Sequence, residues 1–124
     1  MSLILIVEDN PLNMKLARDI LDAKGYTVVT ADTGEDGVHL ATERAPDLIL
    51  MDIQLPDIDG IEALARLRED PSTAAIPVVA FTASVTATDR SRVTKAGFDG
   101  FVSKPIDLKT FLATINGLAP LDPS

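Results

Sequence analysis

Short apolar runs recur along the chain, and a polar side chain closes each one. Leu3-Ile4-Leu5-Ile6-Val7 runs into Glu8-Asp9, and Leu48-Ile49-Leu50-Met51 into Asp52. Pro77-Val78-Val79-Ala80-Phe81 runs into Thr82, and the short Phe101-Val102-Ser103 into Lys104-Pro105. Runs of this length without polar alternation predict strands buried on both faces. Tyr26-Thr27-Val28-Val29-Thr30 is more polar and predicts a strand nearer the sheet edge. Between the strands the period lengthens to that of helices. Asn10 and Pro11 predict an N-cap and first helical residue, Leu16, Ala17, Ile20 and Leu21 an inward stripe, and Gly25 the end. Thr33 and Asp36 have capping-box spacing and open a helix to about Arg44.

Pro56, Asp57, Asp59 and Gly60 predict a loop, with the acidic run Asp57, Asp59 and Glu62 as solvated loop and helix start. Ile61, Leu64 and Leu67 then mark the inner face of a third helix. A fourth, from Thr88 to Ala96, is poorly amphipathic, with only Val93 and Ala96 apolar. Asp107 is the expected cap of a last helix with Leu108, Phe111, Leu112 and Ile115 inward. Residues 119–124 read as a frayed tail, leaving one domain over 1–124 with its core at about 3–118.

Five strands alternating with five helices predict an α/β fold with helices on both sheet faces. Right-handed crossovers make it a doubly wound, largely parallel sheet. In such sheets the ligand crevice lies beyond the carboxyl ends of the strands, at the switch point. Glu8, Asp9, Asp52, Thr82 and Lys104 all follow or end strands, so the topology gathers them at one sheet edge. Singly, each has an ordinary explanation. Asp52 serves as a strand-end turn residue, Glu8-Asp9 as charge at a helix N-terminus, Thr82 as a β-propensity choice, Lys104 as a solvated lysine and Phe101 as core. His39, mid-helix, reads as exposed and without a ligand partner.

Composition narrows the chemistry. A net charge of -8 over 124 residues argues against nucleic acid, whose phosphates are met by Lys and Arg. There is no cysteine, which removes disulfides and zinc–sulfur sites. Glu8 and Asp9 cut the first apolar run too short for a signal peptide or membrane span, so a cytoplasmic protein is the expectation. Three carboxylates in one crevice cannot all stay ionised without a cation. Oxygen-only donors suit magnesium. Lys104 can hold a phosphoryl oxygen and Thr82 can donate to another. Asp52 can itself be the nucleophile, forming an aspartyl-phosphate.

The motifs Ile6-Val7-Glu8-Asp9-Asn10, Leu50-Met51-Asp52-Ile53-Gln54-Leu55-Pro56, Phe81-Thr82-Ala83 and Val102-Ser103-Lys104-Pro105-Ile106 resemble those of the response-regulator receiver domain, in order and spacing, over essentially the whole chain. Asn10-Pro11-Leu12-Asn13 most resembles single-domain cell-division-type regulators and hybrid-kinase receivers. The resemblance implies a flavodoxin-like (βα)5 fold with strand order 2-1-3-4-5. It implies Asp52 as phospho-acceptor, and Mg2+ (or Mn2+) held by Asp9, Asp52, the Gln54 carbonyl and, through water, Glu8. It further implies Thr82 and Phe101 as switch residues, Lys104 as phosphoryl ligand, and a cis Lys104-Pro105 bond. The donor would be a sensor histidine kinase or a histidine phosphotransfer protein, and the output a downstream protein target. The protein would be a signalling switch and not an enzyme acting on outside substrates, as a monomer or a phosphorylation-dependent dimer. With no residues left over for a DNA-binding domain, it either acts through protein contacts or is part of a longer chain.

Two other readings use the same fold. A haloacid-dehalogenase-type phosphatase also uses a strand-end aspartate, but wants a second acid where Gln54 stands. A flavodoxin-like cofactor binder wants Gly, Ser and Thr in its first loop, where Glu8-Asp9 would repel a phosphate.

Overall fold

The computed structural model describes residues 2–83 and 87–119, apart from the side chains of 87–90. Strands β1 (Leu3–Val7), β2 (Thr27–Ala31), β3 (Leu48–Asp52), β4 (Val78–Thr82) and β5 (Gly100–Ser103) alternate with helices α1 (Pro11–Ala23), α2 (Gly34–Arg44), α3 (Gly60–Glu69), α4 (Ala87–Ala96) and α5 (Leu108–Leu118). All strand pairs are parallel and the order is β2-β1-β3-β4-β5. The edge position of β2 follows from its polarity, since only Ala31 of the strand is buried. Every residue of β3 and β4 is buried.

Alternation along the strands feeds two cores. Ile4, Ile6, Leu50 and Phe81 pack with Ala17 and Leu21 of α1 and with Phe111 and Ile115 of α5. Leu5, Val7, Ile49 and Met51 pack on the other face with Ala41 of α2 and with Ala63, Leu64 and Leu67 of α3. Each buried Leu or Ile contributes about 2 kcal/mol, so these strands can tolerate ending in a carboxylate. In register, Val7 lies opposite Met51, Asp52 opposite Phe81, and Thr82 opposite Ser103. The polar residues that terminate the strands therefore share one edge.

Local signals act largely as the sequence predicts. Asn10 accepts from the N–H groups of Leu12 and Asn13 at 3.0 and 3.1 Å, with Pro11 beginning α1. Thr33 Oγ1 accepts from Asp36 N at 3.1 Å to open α2. Gly25 and Gly97 follow helices with φ of 98° and 101°, a region that favours glycine.

Several faces differ from the sequence reading. Leu16 is exposed, because it lies about 100° around the axis from Ala17 and the true inward line is Ala17 and Leu21. Leu108 is exposed as the first residue of α5, whose buried contacts begin one turn later at Phe111. Ile61 is half-buried, and the smaller Ala63 meets the sheet instead. Asp107 makes no side-chain cap bond and accepts from Thr110 Oγ1 at 3.0 Å. Ala119, assigned to the frayed tail, is buried, and its carbonyl accepts from the Tyr26 hydroxyl at 2.9 Å. The remainder of that tail, 120–124, lies outside the described residues. Among the described residues no helix is long and apolar enough to cross a membrane.

Candidate functional site

At the end of β1, Glu8 N donates to Ala31 O at 3.0 Å, which fixes the strand end and turns the side chain inward. Glu8 Oε1 accepts from Asn10 N at 3.1 Å, and Oε2 lies 2.7 Å from Lys104 Nζ. At the end of β3, Asp52 Oδ1 accepts from Gln54 N at 3.0 Å, and Oδ2 lies 3.2 Å from the same ammonium. Asp9, the next residue after Glu8, is exposed. One carboxylate oxygen each from Glu8, Asp9 and Asp52 lies within 4.8 Å of the others. Lys104 is held from two further sides. Its N–H donates to Thr82 O at 2.9 Å, and its Nζ sits 4.7 Å from the centroid of the buried Phe81 ring. The Lys104-Pro105 peptide bond is cis.

The charges do not balance. Three carboxylates face one ammonium, and Glu8 and Asp52 are only 1% and 4% exposed. Burial pushes the Glu8 carboxyl up to about 7; Lys104 opposes the rise and Asp52 adds to it. Glu8 Oε2 meets the Lys104 ammonium at 2.7 Å, and that same ammonium also faces Asp52. A charge deficit, oxygen-only donors and one ammonium shared between two buried carboxylates fit a hard divalent cation such as magnesium.

The remaining sequence-picked residues surround this cluster. Gln54 is exposed in the loop after β3 and touches Asp52 through its main-chain N–H. Thr82 is buried at the end of β4. Phe101 is half-buried on β5 opposite Ala80, and therefore on the same sheet face as Thr82. Clefts open on both sides, one of about 640 Å³ beside Glu8 and Asp9 and one of about 400 Å³ beside Gln54 and Thr82. His39 is exposed and pairs with Glu43 at 3.1 Å; it lines the same cleft as Glu8 and Asp9 but is not among the three clustered carboxylates.

Two residues escaped the sequence reading. Asp57, taken as solvated, accepts from Gly34 N at 2.8 Å and Glu35 N at 2.9 Å across the start of α2. Desolvation works to raise its carboxyl, but the backbone N–H groups of Glu35, Gly34, Ile58 and Asp57 prevail and hold it at about 2. At the opposite sheet edge, Arg68 Nη1 donates to the carbonyls of Ala74 and Ile76 at 3.0 and 2.7 Å. Its Nη2 reaches Asp99 Oδ2 at 2.8 Å. The only hint of Asp57's role was a helix start some twenty residues upstream with N–H groups to fill. Arg68's acceptors are mostly carbonyls, which leave no mark in a sequence.

The profile of the response regulator receiver domain matches residues 4–116. The chain belongs to that family. The receiver is 45% identical over 112 residues to the polar-differentiation response regulator DivK of Brucella ovis, covering 90% of this chain and 91% of that one. DivK of Brucella abortus is similar to the same extent. Among solved structures, the receiver domain of a sensor histidine kinase from Pseudomonas aeruginosa, with a magnesium ion coordinated in its active site cleft, superposes with a TM-score of 0.88. It is 31% identical and the match covers 94% of this chain and 96% of that one. The Vibrio cholerae chemotaxis protein CheY4, also at 0.88 but 24% identical, covers 95% and 98% and speaks to the fold alone. The protein is thus a receiver of a two-component response regulator, in the flavodoxin-like fold shared with CheY-type proteins.

Proposed function

We propose that this receiver accepts a phosphoryl group on Asp52 from a phosphohistidine of a sensor histidine kinase or histidine phosphotransfer protein. The observation that carries this reading is one buried, strand-end carboxylate facing a fixed ammonium at 3.2 Å, with two further acids within 4.8 Å. An Asp52 oxygen attacks phosphorus, the P–N bond to the donor imidazole breaks, and its electron pair stays on the ring nitrogen. Lys104, its backbone tied to Thr82 O and its ammonium held over the Phe81 ring, would meet charge on the phosphoryl oxygens. Thr82 supplies a hydroxyl from the neighbouring strand end. Asp9, Asp52, the Gln54 carbonyl and, through water, Glu8 would hold Mg2+, with Mn2+ as substitute. When bound, that ion would supply the positive charge that the three carboxylates and one ammonium lack.

Phosphate on Asp52 would favour inward positions of Thr82 and Phe101 and alter the face built by α4, β5 and α5 for a downstream protein. Helix α4 suits such movement, since Val93 is its one buried side chain among the described residues. The dehalogenase-type alternative lacks a second acid, because Gln54 stands two residues after Asp52. Incubation with acetyl phosphate and magnesium is expected to add one phosphate to the wild type by intact mass and none to Asp52→Ala. Equal incorporation in the variant would overturn the assignment.

A further inference from the structure

We infer that Asp57 is a positioning residue for the metal-binding edge of the site, clamping the loop that carries Gln54 onto helix α2. This rests on the proposed magnesium role of the Gln54 carbonyl. The loop between β3 and α3 is tied down at its base. Gly60 N donates to Ile53 O at 2.8 Å, and a Cβ at Gly60 would collide with the Asp52 carbonyl oxygen, so backbone packs directly on backbone there. Gln54 N is held by Asp52 Oδ1 at 3.0 Å, a bond that depends on where the reactive carboxylate points.

Asp59 caps α3, its Oδ1 accepting from Glu62 N at 2.8 Å, and between Gln54 and that cap the anchor is Asp57. Its two oxygens take the N–H groups of adjacent residues, Gly34 at 2.8 Å and Glu35 at 2.9 Å. The fit is close: a Cβ at Gly34 would lie 2.5 Å from Ile58 Cγ1 and 3.2 Å from Ile58 O. Helix α2 already has its own cap, since Thr33 Oγ1 accepts from Asp36 N. Asp57 takes N–H groups that this cap leaves, and what it adds is a link between the metal-side loop and an element 22 to 23 residues earlier in the chain. A main-chain ligand cannot be steered by its own side chain. It is steered by whatever fixes the peptide, and groups that fix ligands without touching the metal commonly matter about tenfold or more in affinity.

The test uses the full chain as wild type, Asp57→Ala, Asp57→Asn and Thr33→Ala. Magnesium affinity is read by calorimetric titration, and amide exchange at Gln54 and Gly60 is read without metal. Asp57→Ala is expected to weaken magnesium about tenfold and to speed exchange at Gln54. Asp57→Asn, which keeps one acceptor oxygen, should lose less. Thr33→Ala, which weakens α2 without touching the loop, should bind like wild type. Equal binding by wild type and Asp57→Ala would overturn the positioning role while leaving the metal site standing. A loss in Thr33→Ala as large as in Asp57→Ala would reduce the effect to helix stability and overturn it too. No binding by the wild type would overturn the metal reading itself, and this inference with it.

Discussion

The two edges of the sheet each hold a charge cluster, and the clusters are built on opposite plans. At the amino edge, Arg68 spends its donors on the Ala74 and Ile76 carbonyls and on Asp99, whose carboxylate also accepts from Val78 N at 2.8 Å. One cation meets one anion, and the polar atoms around them have partners. At the carboxyl edge, one cation meets three anions, and two of them, Glu8 and Asp52, are buried and share it. A satisfied network ties elements together, here α3, the turn before β4, and the start of β5. An unsatisfied one stores a preference for something from outside. The contrast separates architecture from function without reference to any relative.

Removing a charge should therefore have opposite signs at the two edges. The largest expected effect is at the satisfied one. Arg68→Ala strands two carbonyls and a carboxylate, and should lower unfolding stability by about 2 kcal/mol in urea titrations. At the carboxyl edge, Asp52→Asn removes one of the crowded anions while keeping an oxygen for Gln54 N. It should raise stability by about 1 kcal/mol in the same assay. A loss of stability in Asp52→Asn comparable to Arg68→Ala would mean that the carboxyl edge is balanced after all.

The smallest effect is expected at Asp57. Its folded carboxyl titrates at about 2, below the ordinary 3.8, so it stabilises the fold fully above the ordinary value. That contribution fades as pH falls from there through about 2. The stability gap between wild type and Asp57→Asn should accordingly be constant near neutrality and close on acidification. A gap that widened in acid would show that the carboxylate destabilises the loop.

The sequence exposes the carboxyl edge for the same reason that we propose it as the site. Glu8, Asp52, Thr82 and Lys104 interrupt or follow apolar strands, where polar side chains are conspicuous, and parallel topology then brings their ends together. The starts of α1 and α2 were equally plain, because Asn10-Pro11 and Thr33 act on amides two or three residues away; Asp107 at α5 was not. Asp57 and Arg68 were not legible. Their partners are main-chain groups distant in sequence or carbonyls in a turn, and only the folded backbone brings these near. Leu16 and Leu108 mark another limit. An apolar residue on a helix signals a face, but which part of that face meets the sheet depends on where the helix sits.

The tie between the Tyr26 hydroxyl and the Ala119 carbonyl also has a practical side. Tyr26 is the chain's one tyrosine and there is no tryptophan, so near-ultraviolet emission comes mainly from a ring fastened to the end of α5. Excited directly, the molecule reports on the docking of its last helix, and following events around Asp52 by light calls for a fluorophore introduced at that edge.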